Sequence, residues 1–136
     1  MSTAIEQLIP HRAPMQWVEE LLDCTATTAT ATTRFTAVHF AVADGAVIET
    51  ALVECMAQTV AAALGQRMRV NGTPGAANNG MLAAVSNFKI LTPPPVDQIL
   101  TIEVREVKRL GPMLMIAGKI SCGPELIATG DLSLYA

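Results

Sequence analysis

Glu54 and His39 are the residues of this sequence whose type and setting point to proton transfer. Glu54 stands among Leu52, Val53, Met56 and Ala57 in a stretch with no other reason to hold a charge. Burying an unpaired carboxylate costs several kcal/mol or forces its pKa upward. Two readings therefore compete. Either Glu54 turns toward solvent or a cation and serves as structural glue, or it is a general acid tuned by an apolar site. His39 precedes Phe40, just ahead of that same stretch. A lone histidine in a loop is commonly a hydrogen-bonded loop residue, and it is also the side chain best suited to acid–base work near neutral pH. The chain has two histidines, and His11, between Pro10 and Arg12, reads as structural.

Other chemistries find little support. No glycine-rich phosphate loop opens the apolar stretch, since Ala43-Asp44-Gly45-Ala46 has one glycine. No GxSxG elbow is present. Two histidines without ligand spacing predict no metal site. Three cysteines, Cys24, Cys55 and Cys122, lack CxxC spacing and predict neither a disulfide framework nor zinc.

The elements that must position Glu54 and His39 follow from periodicity. Thr3 to Leu8 reads as a short helical start that Pro10 ends. Met15 to Cys24 is predicted as a strand, and the Thr/Ala run from Thr25 to Phe35 as a second, because Thr favours a pleated surface. Ala41 to Ala46 is predicted as a loop with an Asp44-Gly45 turn. The strongest helix runs from about Ile48 to Arg67. It is apolar nearly all round and so must be wrapped by other structure. Its polar exceptions Thr50, Glu54 and Gln58 are spaced by four and share one face. Val70 to Gly80 is a connection. Four strands follow: Met81–Leu91, Ile99–Arg109, Met113–Cys122 and Leu126–Tyr135, joined at Pro93-Pro94-Pro95, Gly111-Pro112 and Gly123-Pro124.

This order predicts an α+β fold: an antiparallel sheet of about six strands wrapped round one long buried helix, in a single domain over residues 1–136. The arrangement is that of a hot-dog fold. One copy leaves a face and a sheet edge to be covered, which predicts pairing of two copies. A 51% hydrophobic composition agrees with a well-filled core and a buried subunit interface. A net charge of −3 argues against nucleic-acid binding, while Lys89, Arg105, Lys108, Arg109 and Lys119 form either a solvated strand face or a docking patch. The N-terminal Met-Ser-Thr-Ala-Ile-Glu predicts no secretory leader, and Glu49, Glu54 and Gln58 make the helix a poor membrane span. A cytoplasmic location is the expectation.

Several stretches resemble the 3-hydroxyacyl-ACP dehydratases of fatty-acid synthesis, where ACP is acyl carrier protein. Leu8-Ile9-Pro10-His11-Arg12-Ala13-Pro14-Met15 is similar to that family's opening Leu-Pro-His-Arg-x-Pro-Phe. His39-Phe40 follows, and then Leu52-Val53-Glu54-Cys55-Met56-Ala57-Gln58, like the family's Glu-Ala-Met-Ala-Gln helix. Asn87-Phe88-Lys89 and Pro95-Val96-Asp97-Gln98-Ile99-Leu100 resemble the later Phe-Lys strand and turn. The resemblance covers nearly the whole chain in order. It implies that His39 of one subunit faces Glu54 of its partner. The histidine would take the proton alpha to a thioester carbonyl, and the protonated glutamate would help the 3-hydroxyl leave as water. Backbone N–H groups near Glu49 and Thr50 would steady the enolate-like oxygen. Gln58 would hold the Glu54 carboxyl, and Phe40 would wall the acyl tunnel. The resemblance implies no cofactor, and a substrate carried on the phosphopantetheine arm of an acyl carrier protein.

The chain also departs from that pattern. Val38-His39-Phe40-Ala41 and Val47-Ile48-Glu49 stand where the family has Gly-His-Phe-Pro and then proline and glycine before the helix. The interval from His39 to Glu54 is one residue longer. These features are more similar to divergent dehydratase-like hot-dog proteins of polyene and polyketide-type clusters. They leave two alternatives open: a non-catalytic partner subunit of an active dehydratase, forming a hetero-oligomer, and an acyl-thioester hydrolase.

Overall fold

The computed structural model describes residues 4–9, 15–39, 41–70 and 81–135. A 3-10 turn, η1 (Ile5–Gln7), leads to strand β1 (Glu20–Cys24) and strand β2 (Thr28–Thr33). Two short strands, β3 (Val42–Ala43) and β4 (Ala46–Val47), precede helix α1 (Glu49–Val70). Strands β5 (Met81–Ile90), β6 (Leu100–Leu110), β7 (Met113–Cys122) and β8 (Glu125–Tyr135) complete the order. Six strands form one sheet in the order β1-β2-β6-β7-β8-β5, antiparallel throughout, and α1 lies on one face of it. This is the hot-dog arrangement expected from the sequence.

The pleat explains which residues meet the helix. In β2, Ala29, Ala31 and Thr33 are buried while Thr28, Thr30 and Thr32 are half-buried on the other face. Small alanines on the inner face leave room for a helix backbone, and β-branched threonines suit the outer one. Leu100, Ile102 and Val104 of β6 likewise point inward, and Glu103 and Arg105 outward. Gly118 and Gly130 are cross-strand partners on the inner face of β7 and β8. A Cβ on Gly118 would lie 2.9 Å from the Met56 sulfur, and one on Gly130 2.8 Å from the Phe88 ring. The two glycines therefore leave space for those larger side chains, one from the helix and one from the edge strand. Each of the last two hairpins has a two-residue loop, Gly111-Pro112 and Gly123-Pro124. The glycines have positive φ (59° and 57°), and the proline ring holds the next φ negative, the sign pattern of a type II′ turn.

Three expectations need correction. The first strand starts at Glu20, not Met15, because the Trp17 and Val18 amides bond to a helix side chain instead of a neighbouring strand. The second strand is the shorter Thr28–Thr33, since Thr25 to Thr28 close a turn held by Thr25 Oγ1, which accepts from the Thr27 and Thr28 amides. The segment expected as a loop over Ala41–Ala46 contains the β3–β4 hairpin about Asp44-Gly45. The helix also runs a few residues past its expected end at Arg67, to Val70. Gly65 is a packing residue, since a Cβ there would overlap the Leu8 carbonyl oxygen.

The wrapping of the helix is one-sided within a single chain. Its buried face includes Ala51, Leu52, Cys55, Met56, Thr59, Val60, Ala62 and Ala63. Val53, Ala57, Ala61 and Leu64, spaced by three or four, stay half-exposed. The helix packs chiefly on β6, β2 and β1 and meets β5, β7 and β8 lightly. Consequently Leu82, Val85 and Ile90 of edge strand β5 remain 37–40% exposed, although they pair with inner-face Leu134, Leu132 and Ala128.

Candidate active site

The face of α1 carrying Thr50, Glu54 and Gln58 runs from solvent into the interior. Thr50 and the preceding Glu49 are exposed at the helix start, Glu54 is half-buried, and Gln58 is 1% exposed. Gln58 uses both ends of its amide. Its Oε1 accepts from the Trp17 amide at 2.9 Å and the Val18 amide at 3.3 Å. Its Nε2 donates to the Met15 carbonyl at 2.8 Å and to Glu54 Oε2 at 3.0 Å. Two backbone donors on one end fix which way the amide faces, so Gln58 presents an N–H to the carboxylate. A helix residue thus ties the segment before β1 to the core and orients Glu54 in the same act. The Thr33 hydroxyl donates to the Trp17 carbonyl and holds that segment from the sheet side.

His39 sits in the loop between β2 and the β3–β4 hairpin. Its N–H donates to the Thr36 carbonyl (3.0 Å), its carbonyl accepts from the Val42 amide (3.0 Å), and its Nδ1 accepts from the Ala41 amide (2.9 Å). The Ile48 amide donates to the Ala41 carbonyl (2.8 Å), which joins this loop to the start of the helix. The imidazole meets Phe35 and Trp17 edge-on, with ring centroids 5.0 and 6.0 Å apart. Phe35 and Trp17 also meet edge-on at 6.2 Å. Such contacts hold a ring in place through its quadrupole as well as its area.

The structure therefore links four residues of one chain. Glu54 bonds to Gln58, Gln58 holds the Trp17 backbone, and the Trp17 ring packs on His39. Of these, Glu54, Gln58 and His39 were expected from the sequence. Trp17 and Phe35 were not singled out for the site. The signal available was that Trp17 is the chain's one tryptophan. Glu49 and Thr50 lie at the helix N-terminus as expected, while Phe40 falls outside the described residues.

Thiol chemistry is disfavoured here. Burial pushes the Cys55 thiol far up, with the adjacent Glu54 charge adding to the effect. Burial also raises Cys24, against the opposing pull of Arg67. Among the described residues no three His, Cys, Asp or Glu side chains cluster as metal ligands, and no helix is long and apolar enough to cross a membrane. Of the basic residues, Lys119 lies 3.6 Å from Glu103 and Arg109 lies 3.3 Å from Glu106. Lys89, Arg105 and Lys119 line a depression shared with Glu103 and Asp131. It lies on the sheet face opposite the helix.

The family described as ApeP dehydratase matches residues 3–136. The chain belongs to this ApeP-like family. Among solved structures, this ApeP-like chain is similar to the dehydratase heterocomplex ApeI:P from Xenorhabdus doucetiae. The TM-score is 0.88 at 21% identity, over 98% of this chain and 90% of that one. It is also similar to a hypothetical thioesterase with coenzyme A from Streptococcus pneumoniae (TM-score 0.66, 13% identity, 85% and 82% of the two chains). The PaaI protein of the phenylacetic acid degradation operon of E. coli gives 0.69 at 12% identity, over 85% and 81%. At these identities the likeness is one of fold. A search of curated proteins finds no significant match.

Proposed function

We propose that this ApeP-like protein eliminates water from 3-hydroxyacyl thioesters, giving trans-2-enoyl thioesters, at a site where His39 and Glu54 act on the substrate's C2–C3 bond. The observation that carries the reading is the Glu54–Gln58 pair. A half-buried carboxylate on an apolar helix is held by an amide whose own direction is fixed by the Trp17 and Val18 N–H groups. A side chain oriented this way needs no rearrangement to act, which is the condition for efficient proton transfer. The exposed helix start at Glu49 and Thr50 supplies N–H groups for the thioester oxygen as charge develops there. Phe40 would line the acyl path beside His39. The acyl group would arrive on the phosphopantetheine arm of an acyl carrier protein, and no cofactor takes part.

A second subunit completes the site. The stripe of α1 is half-exposed within one chain, and the inner residues of β5 are likewise apolar and uncovered. A copy pairing along β5 would bury both. His39 of one subunit would then approach Glu54 of the other.

A second reading has a specific observation behind it. The similar ApeI:P structure is a dehydratase heterocomplex. In that reading this chain would shape the tunnel of a catalytic partner. Mass spectrometry of the protein with a 3-hydroxyacyl carrier thioester tests both, with native mass measurement of the assembly beside it. A homodimer that removes one water supports catalysis by this chain. Turnover only with a different subunit, unchanged by Glu54→Gln, assigns the chemistry to that subunit. Release of free thiol without water loss would indicate a hydrolase instead.

A further inference from the structure

We infer that His39 works as a hydrogen-bond donor through Nε2, and that Glu54 alone carries the proton through the elimination. The inference rests on the dehydration reading above and divides its labour. The Ala41 N–H points at His39 Nδ1 across 2.9 Å. A backbone amide can only donate, so Nδ1 is the nitrogen with the lone pair, and the neutral ring keeps its hydrogen on Nε2. An imidazole in that tautomer has no lone pair at Nε2 with which to take a proton from carbon.

The tautomer is held by the loop as well as by one contact. The Ala41 peptide is anchored on its other side by the Ile48 amide, and the His39 carbonyl accepts from Val42. Turning the Ala41 N–H away from Nδ1 would break this pattern. Turning the ring over would carry it past Phe35 and Trp17, which flank it edge-on. The departures from the dehydratase sequences bear on the same spot. Alanine stands at position 41, where the related pattern has proline. A proline has no N–H, so it could not make this bond. The residue change thus supplies the donor that sets the tautomer.

Glu54 is placed for the complementary task. Gln58 Nε2 donates to its Oε2, so the carboxylate enters the reaction as an oriented acceptor. The carboxylate takes the proton from C2. The electron pair of that C–H bond becomes the second bond between C2 and C3, and the C3–O bond breaks. The departing hydroxyl receives the same proton back from Glu54 and leaves as water, which restores the carboxylate. His39 Nε2–H donates to the 3-hydroxyl oxygen and steadies the charge gathering there, and the ring neither gains nor loses a proton. A neutral imidazole acting as an electrophile is an established enzymatic device.

Two measurements test this on the intact protein, with a 3-hydroxyacyl pantetheine thioester as the probe. Glutamine can place an N–H near the position of Nε2 but cannot act as a base. His39→Gln should therefore retain activity within about tenfold of wild type, while His39→Ala should fall on the order of a hundredfold. Nitrogen-15 NMR of the histidines should report His39 as the Nε2–H tautomer. His39→Gln as slow as His39→Ala, or an Nδ1–H tautomer, overturns the inference and leaves the dehydratase reading standing. Absence of water loss from the wild-type protein and any subunit it assembles with removes the reading itself, and the inference with it.

Discussion

Replacing Gln58 with methionine separates a hydrogen-bonding role from a space-filling one. The two side chains have similar volume, so packing changes little. The Trp17 and Val18 amides lose their shared acceptor, and both residues are buried. Each buried donor left unsatisfied costs about 1–3 kcal/mol. The Met15 carbonyl also loses its donor, but Met15 is exposed and water can replace it. Methionine removes the amide's own desolvation cost, which brings the net effect toward about 2–4 kcal/mol. For a chain of this size that lowers the melting temperature on the order of 8–15 °C. Gln66→Met is the matched control. Gln66 is also buried, but its Oε1 has no hydrogen-bond partner among the described residues. Its replacement should leave the melting temperature unchanged or raise it slightly. Differential scanning calorimetry of both variants reads the contrast. Equal melting temperatures for the two would refute the account of Gln58 as the tie between α1 and the segment before β1.

Two further outcomes follow from close approaches and burial. Gly65→Ala sets a methyl group against the Leu8 carbonyl, a backbone atom that cannot turn aside, so η1 must lift from the helix. Thermal melting should show a loss of about 1–3 kcal/mol, as for other overpacked sites, and an unchanged melt would contradict the contact. Iodoacetamide at mildly alkaline pH should leave Cys55 unlabelled in the folded protein and label Cys24 slowly, because burial raises both thiols and thiolate is the reactive form. Peptide mapping after timed quenching gives the order, and prompt labelling of Cys55 would contradict its burial.

Much of the architecture could be read from local pattern. The helix over Glu49–Val70 and the four later strands lie within a few residues of their expected bounds, because periodicity and the Gly-Pro turns mark them. The site was legible in part. Glu54, Gln58 and His39 could be named from residue type and resemblance. Their connection could not, since Gln58 reaches Trp17 and Val18 across about forty positions of sequence. The same long-range bonds explain why Trp17 and Val18 are not strand despite their strand-like composition. Gly65 lies inside the expected helix, and no local pattern shows that another segment presses on the backbone there. The Ala41 amide on His39 Nδ1 likewise leaves no mark in local pattern, although the replacement of proline by alanine is plain in the sequence.

The most direct test of the central claim is the mass change of a 3-hydroxyacyl carrier thioester incubated with the wild-type protein and with Glu54→Gln, both confirmed folded by circular dichroism. Wild type should remove one water, and the variant should be slower on the order of a hundredfold or more. Equal rates for the two proteins, or an unchanged substrate with wild type, would contradict it.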